Sequence, residues 1–168
     1  MQSMAIVLIA LAAVGQARFG KEGAVQASVQ ALSAFGSPGA AGTLAGQTPG
    51  VLLAGANACA KLSLADQIVQ ELGTDPEVLA AAADLVAAEK NFNPSAQSIP
   101  TICSDATLPA TEALRGIVPL VDPAVVGSDV ENANSPQSVK TPFDATGLSV
   151  ADVMKAQGFS NFTAQANA

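Results

Sequence analysis

The chain has 168 residues, of which 14 are acidic and 7 are basic, so its formal charge at neutral pH is -7. An acidic surface repels nucleic-acid phosphates, and no basic cluster is present to overcome that repulsion, so nucleic acid is not an expected partner. The chain also contains no histidine, which excludes Ser-His and Cys-His catalytic pairs and most zinc sites.

The first 17 residues have the pattern of a secretory signal peptide. An apolar run from Ala5 to Val14 precedes Gly15 and Ala17, which are small residues at the positions that a signal peptidase inspects. This run is much shorter than the roughly 20 residues that a membrane-spanning helix needs. The sequence therefore predicts export with cleavage after Ala17, and a buried N-terminal helix is the alternative. No later stretch predicts a transmembrane segment.

Residues 18–50 are predicted to form an N-terminal helix followed by a linker. Val25, Val29 and Leu32 lie on one helical face within residues 23–35, which predicts the helix. Residues 36–50 contain five Gly and two Pro, a composition typical of a linker or an ordered irregular loop. No strand precedes these glycines, so a nucleotide-binding loop is not expected.

Residues 51–160 are predicted to form a helical domain whose first half contains two helices. The first helix ends at Gly73, a residue type that often ends helices. In the second helix, Thr74 is the predicted N-cap, Glu77 completes a capping box and Pro76 occupies the first turn. A short turn joins the two helices, so we expect an antiparallel helix hairpin.

The second half of this domain is predicted to be rich in ordered loops. Residues 91–147 contain seven Pro, and each one limits how far a helix or strand can continue. We expect a short helix at residues 110–115 and a turn near residues 123–126. Ser149 and Asp152 then predict a last short helix, and residues 161–168 are expected to form a flexible tail.

Two cysteines, Cys59 and Cys103, are present in a chain that is predicted to be exported. A single disulfide is the expected state in an oxidising compartment. The predicted fold class is therefore mainly α, a small helical domain with an antiparallel helix hairpin, long Pro-rich ordered loops and one disulfide. Asn161 lies in the sequence Asn-Phe-Thr, which fits the acceptor pattern for N-glycosylation.

Five carboxylates in the loop-rich half are predicted to be solvated and to form a candidate interaction surface. They are Asp105, Glu112, Asp122, Asp129 and Glu131. A glycosidase-type carboxylate pair is the alternative, but sugar sites usually offer Trp or Tyr, and the chain has neither. Residues 129–134 place oxygen ligands at alternating positions but lack the Gly and distal Glu of a calcium loop. No metal site or cofactor is expected.

Three stretches resemble small secreted proteins of filamentous fungi, a group mostly without assigned activity. They begin with "NACAKLSLADQIVQELG", "PTICSDATLPATEALRG" and "TPFDATGLSVADVMKAQGF". The resemblance implies an extracellular or cell-wall location and contact with a host, and it assigns no functional residue.

The predicted function is that of a secreted, non-catalytic interaction protein, effector-like or associated with the cell wall. Its partner would be an extracellular or host protein or a cell-wall component, contacted through the segment between Cys103 and Lys140. A binder of lipid or of hydrophobic surfaces is the alternative, because helices rich in Ala, Val and Leu can part to enclose an acyl chain. A hydrolase of a wall polymer is a more distant alternative.

Overall fold

The computed structural model describes residues 20–167, so the predicted signal peptide lies outside the described residues. Within them the protein is mainly helical, with six α-helices, one 3-10 turn and two short strands. The helices are α1 Gln26–Gln30, α2 Ala40–Leu52, α3 Ala60–Leu72, α4 Pro76–Ala87, α5 Ser128–Lys140 and α6 Val150–Ala156. In the same residues no helix is long and apolar enough to span a membrane. The prediction of a mainly α-helical fold is confirmed.

The N-terminal region differs from the prediction, because the main helix lies where a linker was expected. Helix α1 is only five residues long, whereas α2 occupies most of residues 36–50. Gly39 is the N-cap of α2 and has a φ of 85°, a left-handed conformation that glycine adopts readily. Three glycines follow at intervals of four residues, so they share a face of α2 and leave its buried face to Ala and Leu side chains.

Helix α2 also contains a proline that sequence reasoning treated as a helix breaker. Pro49 has no N–H to donate to the carbonyl of Ala45, four residues earlier. The hydroxyl of Thr48 donates to that carbonyl instead, at 2.9 Å, inside the core. The side chain of Thr48 therefore satisfies the carbonyl that Pro49 leaves free, and the helix continues to Leu52.

Helices α3 and α4 pack against each other at the centre of the core. Helix α3 ends at Gly73, as predicted. The N-cap of α4 is Asp75 rather than the predicted Thr74, and its carboxylate accepts a hydrogen bond from the backbone N–H of Glu77 at 3.0 Å. Pro76 is the first residue of the helix. The antiparallel direction of this pair stays a prediction.

Helix α5 lies in a segment that was predicted to be loop, so that prediction was wrong. Its 13 residues bury Ser128, Glu131, Ser135 and Ser138. These residues recur with helical spacing but are polar, so the sequence shows no apolar stripe. A search for hydrophobic periodicity cannot detect such a helix.

The short helix expected at residues 110–115 is a 3-10 turn, Glu112–Leu114.

The C-terminal residues differ from the predicted flexible tail at 161–168. Strand β2, Thr163–Gln165, pairs in parallel with strand β1, Thr101–Cys103. The side chain of Gln165 also accepts a hydrogen bond from the backbone N–H of Ala58 at 2.8 Å. Before this strand, α6 begins with the predicted capping box of Ser149 and Asp152.

The predicted disulfide between Cys59 and Cys103 is confirmed. Its Cα atoms are 4.7 Å apart, and it joins the start of α3 to β1. Because β2 pairs with β1, the bond also ties the C-terminal strand to the helical core.

Candidate functional site

The five candidate carboxylates do not form one surface, so that prediction was wrong. Glu112 and Asp129 are exposed and Asp105 is half-buried, but Asp122 and Glu131 are buried. Asp122 lies at a turn, where its carboxylate accepts a hydrogen bond from the backbone N–H of Ala124 at 2.8 Å. Glu131 points inward because α5 packs its Ser and Glu face against the core. Across residues 20–167, no three acidic or Cys side chains are grouped so that they can hold a metal ion.

Asn161, the predicted glycosylation site, is half-buried next to a turn of the chain. Its side-chain nitrogen, the atom that would carry a glycan, donates a hydrogen bond to the carbonyl of Val126 at 3.0 Å. A glycan would have to displace this contact. Glycosylation at Asn161 stays a prediction.

Lys61 is a buried lysine on α3, with only 5% of its surface exposed. Its Nζ donates to the carbonyls of Val86 at 2.8 Å and Ala88 at 2.7 Å, at the end of α4. The pKa of Lys61 is lowered to about 7, chiefly by burial and also by the positive charge of Lys90, while the carboxylate of Glu131 opposes the shift.

Glu131 is fully buried, and in the described part of the chain neither of its carboxylate oxygens has a hydrogen-bond partner. Burial raises the pKa of Glu131 to about 8, and the charge of Lys61 opposes this shift. Burial therefore favours the neutral form of both groups. The charge of each group also opposes the pKa shift of the other, so the two groups interact electrostatically.

The polar face of α5 also holds the buried chain segment that precedes it. The side-chain amide of Asn132 forms two hydrogen bonds with the backbone of Val121, both of 2.9 Å. The hydroxyl of Ser138 accepts a hydrogen bond from the backbone N–H of Val118 at 3.0 Å. Leu120 lies between these two anchors, and its N–H donates to the carbonyl of Ala87 at 2.9 Å. The position of Leu120 is therefore set by α4 and α5 together.

Leu120 lines two cavities. One has a volume of about 20 Å³ and includes Lys61, Lys90 and Thr101 in its wall. That volume is about the size of one water molecule. Lys90 donates to the carbonyl of Ala54 at 2.7 Å and lies 3.4 Å from the hydroxyl of Thr101. This cavity has no room for an organic substrate.

The other cavity is an open groove with a volume of about 510 Å³. This volume lies within the range of about 300–1,000 Å³ that is typical of small-molecule sites. We call it the α4–α5 groove. Its wall consists of Lys21, Ala24, Val25, Asp84, Ala87, Ala88, Glu89, Leu120, Ser135, Pro136, Val139 and Lys140. Leu120 and Val139 are 39% and 37% exposed there, although both are large apolar side chains.

Among residues 20–167, the side chains of the two groove lysines, Lys21 and Lys140, form no hydrogen bond or ion pair, whereas the other cations are engaged. The guanidinium of Arg115 donates to four backbone carbonyls, Ala106, Pro109, Ala145 and Leu148. Lys61 and Lys90 donate to carbonyls, as described above, and Lys155 lies over the ring of Phe162 at 5.7 Å. Lys21 and Lys140 thus leave two positive charges at the groove of an acidic protein.

Two carboxylates also line the groove. Asp84 is exposed on α4, and partial burial raises the pKa of its carboxyl group. Glu89 is 6% exposed and has contacts within the protein. Asp84 is therefore the carboxylate that an incoming ligand would meet in solvent.

The groove includes residues from the segment that was predicted to carry the contact surface, together with residues from elsewhere in the chain. The segment from Cys103 to Lys140 was predicted to carry the contact surface, and it supplies Leu120, Val139 and Lys140. The remainder comes from residues 21–25 and 84–89, which are distant in sequence. The buried pair was missed, and the only local signal was the helical spacing of Glu131, Ser135 and Ser138.

Comparisons with protein-family models, with curated proteins and with solved structures find no match to this chain. The function is therefore inferred from the chemistry of the α4–α5 groove and of its surroundings.

Proposed function

We propose that this protein is exported and acts outside the cell as a non-catalytic binding protein, receiving a flexible apolar chain of its partner in the α4–α5 groove. Export is supported by the apolar segment at residues 5–14 and by the disulfide, which is typical of oxidising compartments. In that location the partner would belong to a host or to a cell wall, in keeping with an effector-like role.

The exposure of Leu120 and Val139 within one concave site carries this proposal. Scattered apolar side chains are normal on a protein surface, but apolar side chains grouped in a concavity are typical of binding sites. The neighbouring wall is formed by Ala24, Val25, Ala87, Ala88 and Pro136, which are small or apolar. Such a wall favours an apolar guest over a polar one.

The non-catalytic part of the proposal is supported by where the two groups with the largest pKa shifts, Lys61 and Glu131, lie. Glu131 has no exposed surface, and the cavity that Lys61 lines is only about the size of one water molecule. A general acid or base must come within hydrogen-bond reach of its substrate. Neither of these groups can do so in this conformation.

Shape complementarity favours a flexible chain over a helix as the occupant. An α-helix is about 10–12 Å wide with its side chains and rises 5.4 Å per turn, so one turn occupies on the order of 500 Å³. The groove of about 510 Å³ has room for one such turn. Recognition of an amphipathic helix uses anchors over at least two turns.

The test uses a neutral solvatochromic dye, Nile red, and purified protein from culture medium. We expect binding by the wild type and loss of binding in the double variant Leu120→Asp, Val139→Asp, because charges then replace the apolar wall. The matched control is Val126→Asp, Val130→Asp, which changes two exposed valines that do not line the groove. Equal dye binding by both double variants, or none by the wild type, would refute the proposed site.

Export is tested separately, by N-terminal sequencing of the secreted protein, which should begin at Arg18.

A further inference from the structure

We propose that the occupant of the α4–α5 groove is a free single-chain fatty acid, with its alkyl chain against Leu120 and Val139 and its carboxylate near Lys21 and Lys140. This inference rests on the proposed function, because it names the ligand class of the same groove. It adds the requirement for a negatively charged head group.

The charge distribution supports an anionic head group. The whole chain carries -7, so its average surface repels anions. Lys21 and Lys140 line the groove, and their side chains form no hydrogen bond or ion pair in residues 20–167. A local pair of cations beside an apolar wall matches an amphiphile whose carboxylate stays near solvent while its chain is buried.

Asp84 provides a second test of this inference, because removal of its negative charge should have the opposite effect on affinity from removal of a lysine charge. Its carboxylate lines the same groove and repels a carboxylate ligand. Replacement of Asp84 by Asn should therefore strengthen binding of a fatty acid, while replacement of either lysine by Gln should weaken it. A site that merely buries alkyl chains would respond to neither change.

A free ligand is favoured over a membrane surface. Peripheral proteins that lie on membranes present a protruding apolar face with a basic border, and anionic lipids repel an acidic protein. Here the exposed Leu120 and Val139 line a concavity, and the net charge is strongly negative. The groove accepts a chain that comes to it from solution.

The experiment is calorimetric titration at pH 7.5 with three ligands of equal chain length, dodecanoic acid, dodecanol and dodecylamine, each below its aggregation concentration. We expect the acid to bind most tightly and the amine most weakly. Shortening the acid by one methylene should lower its affinity about fourfold, the factor to which the burial of one methylene corresponds.

Single substitutions measure how much each charged side chain of the groove contributes to binding of the acid. Lys21→Gln and Lys140→Gln should each weaken binding of the acid by up to about fivefold, as expected for an exposed ion pair, and should leave binding of dodecanol unchanged. Asp84→Asn should strengthen binding of the acid. Lys155→Gln is the matched control, since it removes the same charge from a lysine outside the groove.

Three outcomes would overturn the inference. If dodecanol binds as tightly as the acid and the lysine variants have no effect, the groove binds apolar chains regardless of charge, and the proposed function survives alone. If the wild type binds none of the ligands, including Nile red, both proposals fail. If the protein binds phosphatidylcholine–phosphatidylserine vesicles but no monomeric fatty acid, a membrane surface replaces the free ligand.

Discussion

Lys61 and Glu131, a base and an acid that act on each other, both lie in the interior, where burial works against the charged form of each. It lowers the pKa of Lys61 to about 7 and raises that of Glu131 to about 8, while each group partly opposes the shift of the other. The two residues come from α3 and α5, so their interaction connects the first and second halves of the predicted helical domain. The folded state therefore depends on the protonation of this pair.

The free energy of unfolding should fall as the pH rises from about 4.5 to 7. The pKa of Glu131 is raised from 4.5 to about 8 in the folded protein, so its stabilising contribution is present below 4.5 and is lost as pH rises through 8. A single group changes this free energy by at most about 1.4 kcal/mol per pH unit. Urea unfolding at pH 5.0, 6.0 and 7.0 measures the slope. Equal midpoints and equal slopes of the three curves would contradict the prediction.

Above pH 8 the trend should reverse because of Lys61. Its pKa is lowered from 10.5 to about 7, so it contributes stability that is present above 10.5 and is lost as pH falls through 7. Lys90 also has a lowered pKa, owing to burial, and adds to this rise. Stability should pass through a minimum between pH 7 and 8. Thermal unfolding from pH 7.5 to 10 tests this, and the variant Lys61→Met should reduce the rise.

Glu131→Gln should remove most of the decline between pH 5 and pH 7. The amide has a similar shape and stays neutral, so at pH 5 the variant should be about as stable as the wild type, whose carboxyl group is then protonated. At pH 7.5 the variant should be the more stable of the two, because ionisation of Glu131, whose ordinary pKa is 4.5, stabilises the unfolded wild type, and the amide cannot ionise. Denaturation at both pH values provides the comparison, with Asp129→Gln as an exposed control on the same helix. A decline of wild-type size in Glu131→Gln would show that another group titrates.

Loss of the disulfide should reduce the free energy of unfolding by about 4 kcal/mol in the chain-entropy model for a loop of this length. Cys59 and Cys103 are 44 residues apart in sequence, and the bond joins α3 to β1. The double variant Cys59→Ser, Cys103→Ser avoids a leftover thiol. Urea unfolding beside the oxidised wild type measures the difference, and a loss below about 1 kcal/mol would contradict this estimate.

Gly116→Ala should be strongly destabilising, by more than about 2 kcal/mol. Gly116 has a φ of 81°, and a Cβ there would overlap the backbone of Phe143, whose N–H donates to the Gly116 carbonyl at 3.1 Å. Gly147→Ala is the matched control: its φ is 70°, but the space around it is open. That substitution should cost only the roughly 1–2 kcal/mol of a left-handed backbone. Equal losses in thermal unfolding would rule out the steric contribution.

Sequence reasoning succeeded where local chemistry decides the structure. Gly73 ends α3, Pro76 begins α4, and the capping box of Ser149 with Asp152 begins α6. Each of these signals lies within a few residues of the boundary that it specifies. The disulfide was also predicted, because the chain offers only two cysteines.

Helices α2 and α5 could not be predicted in this way, since a hydrogen bond inside α2 and the packing of α5 against the core compensate for residues that are unfavourable in a helix. The hydroxyl of Thr48 satisfies a carbonyl that Pro49 leaves free, and α5 buries polar side chains where an apolar stripe would be expected. The groove as a whole was likewise beyond prediction, because four separate segments, at residues 21–25, 84–89, 120 and 135–140, form its wall. Burial of Glu131 depends on the same packing of α5 against the core.

The pairing of β1 with β2 sets an order of events during synthesis. Thr101 pairs with Thr163, which lies 62 residues later in the chain. Contacts that close such long stretches of chain carry a larger entropy cost than contacts within a helix, and they tend to form late. During translation the helices that precede β1 can form as they leave the ribosome, but β1 has no neighbour until β2 has been made. The small sheet is therefore a closing step, and until it forms the N–H of Ala58 lacks the Gln165 side chain as its acceptor.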